Sequence, residues 1–351
     1  MKIAFYANRM RIEGDYLEKR GLGGSESALI NLSRAIKRVD PSVNITIYND
    51  TNRRDITDYD GIIYKGMVHF NSECKTFNID AFITLRDHQP FSLPYIDARK
   101  KILWSQDDMN EKGLQDLTTK PYAIENIDCF LAISEYAKGE IEKGFPGKIV
   151  HLQRNGFNKH WVINNPPQDR KPIAVYTSTP YRGLDVLAEV WPYIYNICKY
   201  NNVIPELRVF SGMELYDWSN APFGELFKKL SEMEGVKVLG STCQKKLYEE
   251  LCQCKVMLYP NHFLETGCMS VLEALACGLR VVTTDLGALK EQVRDNYNGY
   301  LISGDAHSVD YKNEFLQKSI TTLLQPSGYK SNDGLIFSWD EQAERLLKVI
   351  S

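Results

Sequence analysis

Residues 255–283 constrain the fold of this chain more than any other stretch. The apolar and aromatic run 255–259 predicts a short buried strand. A loop follows and leads into a helix, which we expect Ser270 to cap and Gly278 to end. Arg280 then begins a second run typical of a strand. A strand, a loop, a helix and another strand in this order form the repeating unit of α/β proteins with parallel sheets.

Two glutamates lie eight positions apart within this unit, Glu265 in the loop and Glu273 in the first turns of the helix. Between them, Gly267 allows the backbone to come close to a ligand. The backbone amides of Thr266, Gly267 and Cys268 can converge on an anion or on hydroxyl groups at the helix N-terminus. The spacing therefore predicts a binding site at this turn.

The same residues resemble the E-x7-E motif of retaining GT-B glycosyltransferases, especially those of family four. Two glutamates alone are weak evidence, because solvated glutamates are common. The glycines, the alanines and the strand that follows make the resemblance specific. The matching positions are Glu265, Gly267, Glu273, Ala274, Ala276 and Gly278.

Bulk properties exclude several classes of protein. The 351 residues suffice for two domains, and the net charge of −3 gives no support for a nucleic-acid partner. No apolar run is long enough to cross a bilayer, and residues 1–7 favour a first strand over a secretory signal, so we expect a cytoplasmic protein. The eight cysteines are scattered, as in reduced proteins. Neither the cysteines nor the six histidines have the spacing of a metal motif, so we expect no metal.

The rest of the chain alternates strands with helices, which favours parallel sheets covered on both faces. Apolar runs predict strands at 2–7, 45–48, 61–64, 81–85, 101–104, 129–133 and 149–152 in the first half, and at 173–176, 207–210, 236–239, 255–259, 280–283 and 299–302 in the second.

A glycine-rich segment, residues 21–27, follows the first strand and opens a helix that Ser25 is placed to cap. A strand followed by glycines and a helix N-terminus binds phosphates in many α/β proteins. The alternative is that the glycines only form a tight turn. The segment resembles the G-G-x-E of family-four transferases, which makes Gly23 and Gly24 candidate donor-binding residues.

Polar residues also follow two strands of the first half. Ligands of parallel sheets bind beyond the carboxyl ends of the strands, although a solvated loop is the alternative for each site. By resemblance, Gln106 occupies the position of a histidine found in many relatives, and we assign Gln106 and Asp107 to the catalytic side. Arg86 and His88 are assigned to the acceptor or sugar side.

Arg182 lies at the entrance of a helix in the second half, where a guanidinium can bind a phosphate through two hydrogen bonds. A surface charge is the alternative. The segment 181–183 resembles the end of the family's R-x-x-x-K-G loop, with arginine in place of lysine. The preceding arginine of that loop is absent, and Ser178 lies near its position as a further donor-binding candidate.

The resemblance implies a GT-B fold, with two Rossmann-like domains whose parallel sheets face each other across a cleft. We expect an acceptor-side domain at 1–165, completed by a returning helix at 338–351. We expect a nucleotide-sugar-binding domain at 172–337. The proline-rich, polar segment 164–172 is the expected linker.

The implied activity is that of a retaining hexosyl- or pentosyltransferase, which moves a sugar from a nucleotide diphosphate sugar to a hydroxyl of a glycan, lipid or other acceptor. No cofactor beyond this donor is implied, and peripheral membrane contact is compatible with a lipid-linked acceptor. Arg182 would stabilise the diphosphate, Glu273 would bind the ribose hydroxyls, and Glu265 would orient the donor sugar. A nucleotide-sugar epimerase of the same fold and an inactive nucleotide-sugar-binding protein are the alternatives. The donor base, the sugar, the acceptor and the oligomeric state stay open.

Overall fold

The protein divides into two compact units. The structure, a computed structural model, describes residues 1–50, 56–163, 170–216, 218–325 and 334–351. The first unit comprises Met1–Tyr16, Gly24–Gly156 and Phe337–Ser351, and the second comprises Leu17–Gly23 and Phe157–Ile336. Most of the expected linker, residues 164–169, lies outside the described residues.

Each unit is built on one sheet. The strands of the first are β1 (Lys2–Ala7), β2 (Asn44–Asn49), β3 (Thr57–Tyr59), β4 (Ile62–Gly66), β5 (Ile79–Leu85), β6 (Ala98–Trp104), β7 (Cys129–Ala132) and β8 (Ile149–Leu152). The strands of the second are β9 (Ile173–Tyr176), β10 (Glu206–Val209), β11 (Val236–Val238), β12 (Val256–Tyr259), β13 (Arg280–Thr284) and β14 (Gly299–Ile302).

The strand orders are β3-β4-β2-β1-β5-β6-β7-β8 and β11-β10-β9-β12-β13-β14. The second sheet is parallel throughout its described strands. The first is parallel except at its edge, where β3 pairs antiparallel with β4. The structure thus confirms the predicted alternation, and among the strands of the described residues only β3 has no predicted counterpart.

Helices connect the strands. They are α1 (Tyr16–Lys19), α2 (Gly24–Val39), α3 (Met67–Glu73), α4 (Lys112–Thr118), α5 (Pro121–Glu125), α6 (Glu135–Gly144), α7 (Leu184–Tyr200), α8 (Gly224–Ser231), α9 (Gln244–Leu251), α10 (Met269–Ala276), α11 (Leu289–Gln292), α12 (Val309–Leu324) and α13 (Trp339–Ile350). Short 3₁₀ turns occur at Cys74–Thr76, Gln89–Ser92, Glu214–Tyr216 and Ala221–Phe223. Among the described residues, no helix combines the length and the apolar character needed to span a membrane.

Helix α2 starts two residues earlier than a cap at Ser25 would place it. It begins at Gly24, so Ser25 lies in the first turn and the prediction that it caps the helix is wrong. A glycine can begin a helix because it adopts helical and non-helical backbone angles at little steric cost.

Helix α13 begins with a capping box. The Ser338 hydroxyl accepts a hydrogen bond from the Glu341 backbone amide, and the Ser338 amide donates to Glu341 Oε2 at 2.7 Å. Its buried face, which includes Trp339, Leu346 and Ile350, lies within the first unit, where α13 packs on α2. The helix therefore contributes to the core of that unit.

Candidate active site

Two neighbouring parallel strands of the second unit bring the main site residues together. β9 and β12 pair in register, so the loops that follow them leave the same edge of the sheet. Gly183, between the first loop and α7, has a φ of 95°, and a Cβ built there would lie 2.0 Å from the Pro260 carbonyl oxygen. Only glycine allows the two loops to approach this closely.

Arg182 and Glu265, one from each loop, form an ion pair. Arg182 Nη1 lies 2.9 Å from Glu265 Oε1, and the Tyr259 hydroxyl donates to the same oxygen at 2.6 Å. The Glu265 side chain is only 5% exposed, whereas that of Arg182 is 22% exposed. A buried carboxylate needs such partners, since an unpaired charge is costly to bury.

Arg182 is held on its other side by aromatic rings. Its guanidinium carbon lies 4.3 Å from the centre of the Phe263 ring and 5.6 Å from that of Tyr181. Burial alone would lower the pKa of Arg182, but the Glu265 carboxylate outweighs it and raises that pKa well above the usual value. Within the described chain the buried Arg182 Nε has no hydrogen-bond partner. The site therefore offers a permanent positive charge with an N–H group still to be satisfied.

Glu273 lies in a different environment from Glu265. It is buried on α10 and accepts a hydrogen bond from the side-chain amide of Gln244, at the start of α9. Burial raises the pKa of the Glu273 carboxyl to about 7, although the hydrogen bond from Gln244 opposes the shift. Near neutral pH this group is poised between its two protonation states.

Helix α10 is fixed by its first turn. It begins at Met269 with Cys268 as its N-cap residue, so the prediction that Ser270 caps it is wrong. Instead the Ser270 hydroxyl donates to the carbonyl oxygen of Thr177, at the end of β9. This bond joins the helix that carries Glu273 to the loop that carries Arg182.

The remaining candidates of the second unit lie around this turn. Ser178 Oγ lies 3.4 Å from the Tyr259 hydroxyl, which connects it to the Glu265 carboxylate. Thr266 and Gly267 lie in the turn before Cys268. The Glu265 carbonyl accepts a hydrogen bond from the Ala288 amide at 2.8 Å, which fixes the backbone of the loop.

The candidates of the first unit form their own cluster beyond β5 and β6. Arg86 Nε lies 2.7 Å from Asp107 Oδ2, and Gln106 between the strand and Asp107 is 8% exposed. His88 is buried, with Nε2 at 3.2 Å from both Asp116 Oδ2 and Lys120 Nζ. Burial lowers the pKa of His88, and the Lys120 charge lowers it further, so the imidazole is neutral at physiological pH.

The two glycine candidates belong to different units. Gly24 is the first residue of α2 in the first unit, and Gly23 belongs to the second unit. Their role in donor binding stays a prediction.

Three contacts of the site were not predicted. The sequence predicts Tyr259 only as the end of a buried strand and Ser270 only as a helix cap, and it predicts no role for Gln244. Tyr259 could have been suspected, because it is the polar-tipped residue at the strand end that precedes the Glu265 loop. Gln244 carries no signal, since its partner lies far along the chain.

The two α/β units with their parallel sheets match the fold of GT-B glycosyltransferase structures. Sucrose-phosphate synthase from Thermosynechococcus elongatus superposes with a TM-score of 0.73 at 14% sequence identity. The superposition covers 99% of this chain and 98% of the synthase chain. HepE from Anabaena, solved in complex with UDP and glucose, superposes with a TM-score of 0.67 at 13% sequence identity. That superposition covers 100% of this chain and 99% of the HepE chain. At these identities the likeness shows the fold.

Part of the sequence matches a known family model. Residues 159–321, which include Arg182, Glu265 and Glu273, match the model of the family described as Glycosyl transferases group 1. An uncharacterized glycosyltransferase of Methanocaldococcus jannaschii is 23% identical over 232 residues. That match covers 65% of this chain and 60% of the relative.

Proposed function

We propose that this protein transfers a sugar from a nucleotide diphosphate sugar to an acceptor hydroxyl, with retention of configuration at the anomeric carbon. The observation that carries the proposal is the Arg182–Glu265 ion pair at the edge of a parallel sheet, 2.9 Å between Nη1 and Oε1. A cation fixed by a buried carboxylate suits a substrate that develops negative charge as it reacts. The match of residues 159–321 to the model of a glycosyltransferase family supports the same class of reaction.

Arg182 is assigned to the diphosphate. Its guanidinium is planar, always charged and partly exposed, and the Glu265 contact through Nη1 leaves other N–H groups for phosphate oxygens. As the bond between the anomeric carbon and the diphosphate breaks, the leaving group gains negative charge, and Arg182 stabilises it. The amides of Thr266, Gly267 and Cys268 add dipoles of the same sign at the start of α10.

Glu273 and Glu265 are assigned to the two ends of the donor. Ribose hydroxyls would donate hydrogen bonds to the Glu273 carboxylate, and these bonds favour its ionised form. Donor affinity should therefore rise with pH through about 7, where unliganded Glu273 loses its proton. Glu265, held by Arg182 and Tyr259, would orient hydroxyls of the sugar.

The proton balance of the reaction needs no side-chain base. The acceptor oxygen forms the new glycosidic bond, the bond from the anomeric carbon to the diphosphate breaks, and the acceptor proton leaves on the diphosphate. Gln106 fits this scheme, since an amide donates and accepts hydrogen bonds but does not titrate. We assign Gln106 to a sugar hydroxyl, and the 2.7 Å contact of Arg86 with Asp107 to the support of that strand end.

The donor class is the part of the proposal most open to direct test. HepE, which shares the fold, was solved with UDP and glucose, so UDP-hexoses are the first candidates. A panel of UDP-, GDP- and ADP-sugars, with the free nucleotides, is screened for a rise in Tm, because a ligand that binds only the native state stabilises it. The donor found is then incubated without acceptor, and the sugar is analysed.

Three outcomes separate the candidates. Transfer to an added acceptor with an unchanged anomeric configuration supports the proposal. A changed sugar stereocentre without acceptor would identify an epimerase. Binding with neither transfer nor epimerisation, across a broad acceptor set, would identify a binding protein.

A further inference from the structure

A second cluster of polar side chains lies in the same unit, outside the proposed donor contacts. Asp185 is in the first turn of α7, His262 follows β12, and His307 lies between β14 and α12. One ligand atom from each of these residues lies within 4.8 Å of the others. Three separate segments of the second unit thus bring two imidazoles and a carboxylate together.

The carboxylate lies between the two imidazoles. Asp185 Oδ1 is 3.7 Å from His262 Nε2, and Asp185 Oδ2 is 3.9 Å from His307 Nδ1. The two rings have centroids 5.0 Å apart. These separations are too long for hydrogen bonds between the side chains, so the cluster is not held by direct bonding.

One buried oxygen of the cluster lacks a hydrogen bond within the described residues. Asp185 Oδ1 is buried and, among the described residues, has no hydrogen-bond partner. An acceptor left in this state costs about 1–3 kcal/mol, more when it is charged. The imidazole that faces it at 3.7 Å carries a nitrogen that is itself a metal ligand when neutral.

We infer that Asp185, His262 and His307 bind a divalent transition-metal ion of the zinc class. Two imidazole nitrogens and a carboxylate oxygen form the donor set preferred by such ions, which magnesium and calcium do not share. Bonds near 2.0–2.1 Å place the ligands of a tetrahedral ion roughly 3.3 Å apart. The side chains need to close by about 1 Å, which is within reach because they are 34–47% exposed.

Such an ion would link the segments that carry the donor site. Asp185 follows Arg182 and Gly183 at the start of α7, and His262 precedes Glu265 in the loop after β12. A metal bond between them would fix the position of both loops. Sequence spacing predicts no metal here, because the three residues come from distant parts of the chain and form no local motif.

The test uses the full chain after bound metal ions have been removed with EDTA. Zn²⁺ is titrated by calorimetry, and Co²⁺ is added as a spectroscopic probe. We expect one equivalent of Zn²⁺ to bind and raise the Tm. The Co²⁺ complex should show the visible absorption of a four- or five-coordinate ion and no thiolate charge-transfer band. His262→Ala and His307→Ala should each weaken Zn²⁺ binding by about 100-fold or more.

Two further variants serve as controls for zinc binding at this cluster. His160→Ala removes an exposed histidine outside the cluster and should bind Zn²⁺ as the wild type does. Asp185→Asn keeps the shape of the side chain and removes its charge, so it should weaken binding without lowering the metal-free Tm. Absence of stoichiometric binding, equal binding by all variants, or a thiolate band would each overturn the inference. Because the readouts are binding and Tm, failure of the proposed transferase activity would leave this result unaffected.

Discussion

Arg182 and Glu265 lie 83 positions apart in sequence, yet Nη1 of the arginine and Oε1 of the glutamate are 2.9 Å apart. The contact joins the loop after β9 to the loop after β12. Each charge compensates the other: Glu265 is buried, and the pKa of Arg182 is raised by its neighbour in spite of burial. Under the proposed function, Arg182 would bind the diphosphate and Glu265 would both fix Arg182 and orient the donor sugar.

Stability should report the state of Glu273. Its pKa is about 7 in the folded protein and near 4.5 when exposed, so the folded state binds the proton more tightly. The contribution of Glu273 protonation to the free energy of unfolding is fully present below about pH 4.5 and is lost as the pH rises through about 7. Glu273→Gln removes this loss and keeps an oxygen that can accept from Gln244. Between pH 5 and pH 8 the free energy of unfolding of the variant should therefore rise relative to that of the wild type, by on the order of 3 kcal/mol.

Urea unfolding at several pH values measures this effect as the difference in midpoint between variant and wild type. Glu249→Gln is the matched control, because Glu249 is exposed on α9. A difference for Glu273→Gln that stays constant with pH would contradict the burial argument.

Gly183 should not tolerate a side chain. It adopts a φ of 95°, and an added Cβ would meet the Pro260 carbonyl oxygen at 2.0 Å. Gly183→Ala should cost about 2–4 kcal/mol from strain and overpacking, and it should weaken donor binding because Arg182 would shift. Gly139→Ala in α6, where a Cβ meets nothing within 4 Å, is the control and should stabilise by up to about 1 kcal/mol. Equal Tm values for the two variants would show that the loops can separate without cost.

Much of the fold could be predicted from periodicity, since β1, β8, β9 and β14 have the predicted bounds. Helix starts were less predictable. Ser25 and Ser270 have the chemistry of caps, but Gly24 and Met269 already begin the helices because tertiary contacts decide the first turn. The Ser270 hydroxyl is used by the Thr177 carbonyl instead.

The candidate site was predictable in its residue types and not in its contacts. Glu265, Glu273 and Arg182 stand at motif positions, so the sequence identifies them. Their partners depend on which strands are neighbours in the sheet. The contact of Gln244 with Glu273 has no local pattern, because it joins two helices of the second unit.

Helix α13 should be indispensable. Leu346 and Ile350 are fully buried against the first unit, so deletion of residues 339–351 should expose apolar surface and reduce solubility and activity together. Leu346→Ala should cost about 2–5 kcal/mol. Asp340→Ala removes a partly exposed ion pair with Arg38 and should change stability by about 1 kcal/mol or less. Expression, Tm and transfer rate are compared, and a soluble and fully active truncation would refute the role of this helix.

Gln106 should matter more than His88 for transfer. Gln106 lies in the loop after β6, where we propose that a sugar hydroxyl binds, whereas His88 is buried between Asp116 and Lys120. Gln106→Ala should lower the transfer rate, and Gln106→His should retain much of it, because an imidazole also donates and accepts hydrogen bonds. His88→Ala should have a smaller effect. If His88→Ala abolishes transfer and Gln106→Ala is silent, the wrong strand end was placed beside the sugar.

The most direct test of the proposed donor site is a comparison of Glu265→Gln with Glu273→Gln, using the donor found in the Tm screen. Nucleotide Kd and kcat are measured for both variants, with Glu249→Gln as the control. Each charge-assisted hydrogen bond contributes about 1.5–3 kcal/mol, which corresponds to a change of about 10- to 150-fold. We predict that Glu273→Gln weakens nucleotide binding by this factor, and that Glu265→Gln lowers kcat while nucleotide affinity is largely kept. Unchanged affinity and rate in both variants would contradict the account.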